Sequence, residues 1–225
     1  MPYFYEFDPV DYNPRQWAKA AKEAGMKYAV LTAKHHEGFC LFDSQYTDFK
    51  STNTKCGRDL VREFLEAFRA EGLRVGLYFS LLDWYHEDYP HYGDKHHPMR
   101  DDPAYSNEGR DFGRYVEYLH NQVRELCTNY GKLDLLWFDF SYENENAVMR
   151  GEAWRATELV NMVRQLQPDV IIDNGWRSAE RALAPCGVQP HPLSWGLRQP
   201  RRRSSPPPAF RTNRAGTWCG RPASP

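Results

Sequence analysis

The stretch Leu133 to Phe140, LDLLWFDF, decides the fold. A short apolar run that closes on one carboxylate, Asp139, between helical patterns reads as a strand buried on both faces of a parallel α/β sheet. Period-two alternation sets Trp137 and Asp139 on the same side of that strand. An indole and an acid projecting together from a strand's C-terminal end suit a sugar site, with the ring face on indole and the acid for chemistry. The competing reading is that Asp139 caps the loop that follows.

Outward from this strand, the pattern repeats in both directions. Asn13-Pro14-Arg15-Gln16 reads as a helix start, with Asn as cap and Pro in the first helical position. Trp17, Ala20, Ala21 and Ala24 make the expected buried stripe, and Gly25 ends the helix. Lys27 to Ala33, KYAVLTA, is a strand that delivers Lys34-His35-His36-Glu37-Gly38 at its C-terminal end. A second helix carries Leu60, Val61, Phe64, Leu65 and Phe68, and Gly72 closes it. Arg74 to Ser80, RVGLYFS, is the next strand, followed by a polar, aromatic loop to about Asn107. Phe112, Tyr115, Val116, Leu119, Val123 and Leu126 mark a long helix ahead of LDLLWFDF. Beyond it, Trp154, Leu159, Val160, Val163 and Leu166 mark a fourth helix and Val170 to Asp173 a fourth strand, leading into Asn174-Gly175-Trp176.

Strands and helices alternate at about 40 to 55 residues per unit, which predicts right-handed βαβ units and a parallel sheet. Polar and aromatic residues cluster after the strands, where a (β/α)8 barrel builds its active site. The expected fold is therefore α/β, a partial (β/α)8 barrel with about four βα units. An open doubly wound sheet is the alternative, but no glycine-rich phosphate loop follows any strand.

The chain has 225 residues, enough for one large α/β domain. Its aromatic content of 15% favours a ring-shaped ligand, and a net charge of −1 makes no case for nucleic acid. That average hides a split, because all 30 acidic residues lie at or before Glu180. The segment 181–225 holds eight Arg, no Lys and nine of the sixteen Pro. The expected division is thus a barrel-like part over 1–180 and an Arg/Pro-rich tail over 181–225, either disordered or translated from a shifted reading frame. Five scattered cysteines without a CxxC spacing argue against a disulfide framework or a zinc site. Met1-Pro2-Tyr3 opens no signal peptide, and no apolar stretch approaches the roughly 20 residues that span a bilayer. The expectation is a soluble chain with no membrane partner, its localisation and oligomeric state open.

Several residues could carry chemistry. His35 and His36 read as donors to sugar hydroxyls, a base, metal ligands or packed core histidines. Neighbours in a strand point to opposite faces, so the pair shares a site only if the backbone turns there. The histidine-rich loop DWYHEDYPHYGDKHH, 83–97, has irregular spacing with Pro and Gly and reads as a lid or subsite wall rather than a metal tract. Glu143 and Glu145 follow the Asp139 strand in a polar, exposed-looking loop.

The ordered series WAKAAKEAGMKYAVLTAKHHEGFCLFDS, GLYFSLLDW and LDLLWFDF resembles the α-L-fucosidases of glycoside hydrolase family 29, over about Phe7 to Trp176. The resemblance implies a (β/α)8 catalytic domain, retaining hydrolysis of terminal α-L-fucose from a fucosylated oligosaccharide or glycoconjugate, and no cofactor. A metal is not expected, because no second His/Asp pair at metal-ligand spacing stands near His35 and His36. It implies Asp139 as nucleophile, His35 and His36 as ligands of the fucose hydroxyls, and Trp137 and Tyr78 as pocket residues. A retaining glycosidase needs two carboxyl groups about 5 to 5.5 Å apart, and the resemblance leaves the second unassigned. In the family a first strand with a Trp/His-rich motif precedes the region where this chain opens. The acid/base glutamate lies beyond the Asp-Asn strand, near a Ser-Trp-Gly stretch. Ser194-Trp195-Gly196 is present here with no acid beside it, so the match is read as chance, and Glu180 is not promoted to the role. The chain is expected to be an incomplete domain, poorly soluble and with little or no activity alone. Two rival readings are a non-catalytic fucose-binding domain and a metal-dependent barrel hydrolase built on His35 and His36.

Overall fold

The computed structural model describes residues 3–92, 94–143, 148–149 and 151–173. The tail at 181–225, the Asn174-Gly175-Trp176 segment, Glu145 and Ser194-Trp195-Gly196 lie outside the described residues. A parallel sheet of four strands runs in the order β1 (Tyr28–Lys34), β2 (Arg74–Ser80), β3 (Leu135–Asp139) and β6 (Ile171–Ile172). A two-stranded antiparallel hairpin, β4 (Tyr142–Glu143) with β5 (Val148–Met149), occupies the region read from sequence as an open loop. Four helices connect the strands of the main sheet or precede them: α1 (Pro14–Glu23), α2 (Leu60–Ala70), α3 (Phe112–Asn129) and α4 (Ala156–Leu166).

Strands that follow one another in sequence are also neighbours in the sheet, with no reversal of order. Crossovers of one hand then place the helices on one face and leave the other free, the arrangement of a partial (β/α)8 barrel. None of the described helices is long and apolar enough to cross a membrane.

The helix ends follow from local chemistry. The Asn13 side chain accepts from Gln16 N at 3.1 Å, and Asp59 and Asp111 cap α2 and α3 in the same way. Gly25 and Gly72 leave α1 and α2 with positive φ, +79° and +72°, which glycine adopts without a Cβ clash. The stripe of α2 is fully buried at Leu60, Val61, Phe64, Leu65 and Phe68, each contributing about 1.5–3 kcal/mol of transfer free energy.

Two expectations are corrected. The buried residues of α1 are Pro14, Ala18 and Ala21, while Trp17 is 43% exposed and Ala20 and Ala24 are exposed too. Trp17 packs edge-on against Tyr12 instead, with ring centroids 4.9 Å apart, so α1 meets α2 through small side chains. Likewise β3 is not buried on both faces. Leu136 and Phe138 are buried on the helix side, whereas Trp137 on the other is 47% exposed. One face of β3 seals the core and the other is available to a ligand.

Candidate active site

The free face of the sheet, at the C-terminal ends of β1, β2 and β3, gathers the residues singled out from sequence. Register pairs Tyr78 with Trp137 and Ser80 with Asp139, so Tyr78, Trp137 and Asp139 share that face. The Tyr78 hydroxyl donates to Asp139 Oδ2 at 2.9 Å, and Phe140 N donates to Asp139 Oδ1 at 2.8 Å. Both carboxylate oxygens are therefore held. Burial, and then the carboxylate it serves, push the Tyr78 phenol well above its ordinary pKa, so it stays a proton donor. The Tyr78 and Trp137 rings meet edge to face at 5.4 Å.

His35 and His36 lie just past the end of β1, where Gly38 N donates to His35 O in a turn. The turn resolves the problem of adjacent residues facing opposite ways, because the two imidazoles stand 4.0 Å apart on the same side. His35 stacks on Tyr78 at 5.6 Å, and His36 stacks on Trp84 at 3.9 Å. Burial first, and the neighbouring His35 next, depress the His36 pKa, which favours a neutral ring at neutral pH. Its Nδ1 is buried without a hydrogen bond. Glu37 Oε2 stands 3.7 Å from it, beyond hydrogen-bond distance.

Phe140 closes the cluster. It leaves β3 with φ +72°, a conformation that costs a non-glycine residue about 1–3 kcal/mol. Its ring edge meets His35, His36 and His96 at 5.9, 6.0 and 5.8 Å. The 83–97 loop, read as a subsite wall, thus reaches this cluster through Trp84 and His96. It is well built: the Asp94 carboxylate accepts from Trp84 Nε1 and the Tyr89 hydroxyl, and Asp88 accepts two bonds from the Arg114 guanidinium. That guanidinium lowers the Asp88 pKa to about 2.

One cluster among the described residues has the spacing to hold a metal ion: the ligating atoms of His35, His36 and Glu37 lie within 4.8 Å of one another. Glu37 Oε2 already stands 3.3 Å from His35 Nδ1, so an acid that orients an imidazole accounts for the same geometry.

Sequence reasoning brought Asp139, Tyr78, Trp137, His35 and His36 to one place. It took in Trp84 and His96 only as members of the 83–97 loop, and it did not single out Phe140 or Glu37. Trp84 could have been singled out from its position four residues past the end of β2; Phe140 could not, since its role depends on a backbone turn. Of the acids weighed for the second carboxyl, the Glu143 side chain, Glu145 and Glu180 lie outside the described residues.

A family model described as alpha-L-fucosidase matches residues 2–187. The chain is 31% identical to alpha-L-fucosidase 1 of Arabidopsis thaliana over 79% of its own length and 32% of that relative's. Its structure is similar to alpha-L-fucosidase isoenzyme 1 of Paenibacillus thiaminolyticus, with a TM-score of 0.75, 62% identity, and 78% of this chain and 41% of that one covered. It is also similar to a family 29 α-L-fucosidase of Bacteroides thetaiotaomicron, with a TM-score of 0.64, 35% identity and coverage of 78% and 37%. A Glu-to-Gln mutant of that enzyme was captured as a trapped covalent intermediate in complex with 2-fluoro-fucosyl fluoride. The chain thus spans about a third of the length of the curated relative and about two fifths of the solved ones.

Proposed function

From the premise that the chain belongs to the α-L-fucosidase family, we propose that it carries the nucleophile half of a retaining α-L-fucosidase site, with Asp139 as the attacking carboxylate. The observation that carries this reading is the double hold on Asp139. Tyr78 and the Phe140 amide grip its two oxygens at a strand end, beside an exposed indole and a pair of imidazoles.

In the first step an Asp139 oxygen attacks the anomeric carbon of a terminal α-L-fucose, and the bond to the leaving oxygen breaks as a second carboxyl protonates it. Water then attacks the fucosyl-Asp139 ester with the second carboxyl acting as base, releasing fucose with its configuration retained. His35 and His36 donate to sugar hydroxyls, Trp137 offers an apolar face to the ring, and Tyr78 keeps Asp139 oriented. The substrate is a fucosylated oligosaccharide or glycoconjugate. The site residues named here all lie within the 1–180 part.

The full chain is incubated with 2-fluoro-fucosyl fluoride and mapped by peptide mass spectrometry. Labelling at Asp139, with loss of fluoride, is expected, and Asp139→Asn abolishes it. L-Fucose binding with no labelling shifts the function to a non-catalytic fucose-binding domain. Labelling that stops when a chelator is added moves it to metal-dependent chemistry at His35 and His36. The same preparation, assayed on a nitrophenyl α-L-fucoside, is expected to turn over weakly or not at all.

A further inference from the structure

The proposed reaction uses neither Lys34 nor Asp83, yet the two form an ion pair whose side chains are 0% and 1% exposed. Lys34 Nζ donates to Asp83 Oδ2 at 3.1 Å, and the Tyr118 hydroxyl from α3 donates to the same oxygen. Asp83 Oδ1 accepts from Tyr85 N and His86 N, at 3.1 and 3.0 Å. The ammonium also faces the rings of Phe79 and Tyr118 at 4.6 and 5.0 Å. A buried ammonium without a partner carries a desolvation penalty of several kcal/mol, so Lys34 occupies this place only because Asp83 does.

The register of β1 shows what the pair does to the site. Thr32 lies opposite Tyr78 and Lys34 lies opposite Phe79, so Ala33 is an extra residue, a bulge. Tyr78 points to the free face, with Asp139, while Phe79 points into the helix layer and is fully buried. Inserting one residue reverses the faces of everything beyond it. Lys34 therefore goes with Phe79 to the helix side, and His35 goes to the free face, where it stacks on Tyr78. In an unbulged strand Lys34 would point into the site and His35 into the core.

The same pair ties the loops after β1 and β2 together. Trp84, next to Asp83, donates its backbone amide to His36 O at 2.7 Å. Gly38 packs so closely on Asp83 that a Cβ there would fall 2.2 Å from Oδ1.

We infer that the Lys34–Asp83 ion pair is the positioning device of this site: it holds the bulge at Ala33, turns His35 and His36 to the free face, and clamps them against Tyr78 and Trp84. Only the sugar-affinity readout below rests on the fucosidase reading.

The test is made on the full chain with isotope-labelled histidine and the variant Lys34→Met, which keeps the length of the stem and deletes the charge. In the wild type the stacking of His36 on Trp84 should shift its ring protons upfield, and His35 and His36 should give ring-to-ring cross-relaxation. Lys34→Met is expected to lose both signatures and to bind L-fucose about tenfold more weakly. A variant that melts earlier but keeps both signatures and its fucose affinity overturns the inference, since the pair would then be structural only. Asp83→Asn keeps an acceptor for the two backbone amides while removing the charge, and is read in the same way where Lys34→Met does not fold. A wild type that does not bind L-fucose sinks the sugar reading, while the ring signatures still decide the positioning role.

Discussion

Tyr78 and Asp139, 61 residues apart in sequence, are joined at 2.9 Å across the paired strands β2 and β3, with the phenol donating to the carboxylate. The bond removes one of the carboxylate's rotational freedoms at the end of a strand, where a sugar's anomeric carbon would have to be met in line.

Tyr78→Phe should therefore leave the fold intact and slow the chemistry. A hydrogen bond to a charged group contributes about 1.5–3 kcal/mol, so labelling of Asp139 by 2-fluoro-fucosyl fluoride should slow roughly ten- to a hundredfold. An unchanged labelling rate, read by mass spectrometry over time, would show that the Phe140 amide alone orients Asp139.

Trp137 and Phe138 are neighbours with opposite burial, and their variants should separate binding from stability. Trp137→Ala removes an exposed indole and should weaken L-fucose binding while changing the urea midpoint little. Phe138→Ala opens a cavity at a fully buried position and should cost about 3–5 kcal/mol in the same urea titration. Equal stability losses would place the indole in the core and remove it from the pocket.

Gly38→Ala should be strongly destabilising for two separate reasons. Its φ of +85° lies where only glycine is unstrained, and the added Cβ would strike the Asp83 carboxylate. The strain alone is worth about 1–3 kcal/mol, and the melting temperature measures the sum. A second variant, Gly25→Ala, shares the positive φ but meets no atom within 4 Å, so it should show the smaller loss.

Acid should loosen the 83–111 loop before it unfolds the rest. Burial, and the ring of His91 stacked at 4.3 Å, lower the His97 pKa to about 4 from the ordinary value of 6.5. Its Nδ1 accepts from Met99 N at 3.0 Å and can do so only while unprotonated. The unfolded chain then binds more protons than the folded one between pH 6.5 and 4, so stability falls as pH is lowered through that window. Asp88 adds a second loss further down, as pH drops from its ordinary 3.8 toward about 2. His97→Asn keeps an acceptor without the titration, and should flatten the dependence of melting temperature on pH between 6.5 and 4. A slope identical to the wild type's would assign the acid sensitivity to His36, His86, His91 or His120, whose pKa values are lowered too.

What the sequence determined by itself is whatever depends on near neighbours. The cap at Asn13, the stops at Gly25 and Gly72, the five-residue stripe of α2 and the span of β2 from Arg74 to Ser80 all follow from local backbone energetics and periodicity. The parallel α/β class follows too, because the alternation of such segments admits few ways to bury them. Asp139, Trp137, Tyr78, His35 and His36 were legible as polar or aromatic residues at strand ends, helped by three motifs in order. The tertiary structure alone decided their faces and partners. Whether His35 looks at Tyr78 or into the core turns on a bulge at Ala33, held by a charge 49 residues away. Whether β3 is covered on one side or two, and whether Phe140 can sit at φ +72° between imidazoles, depend on what packs there. These are long-range balances of desolvation against pairing, and of strain against contact, for which no local pattern in the chain carries a signal.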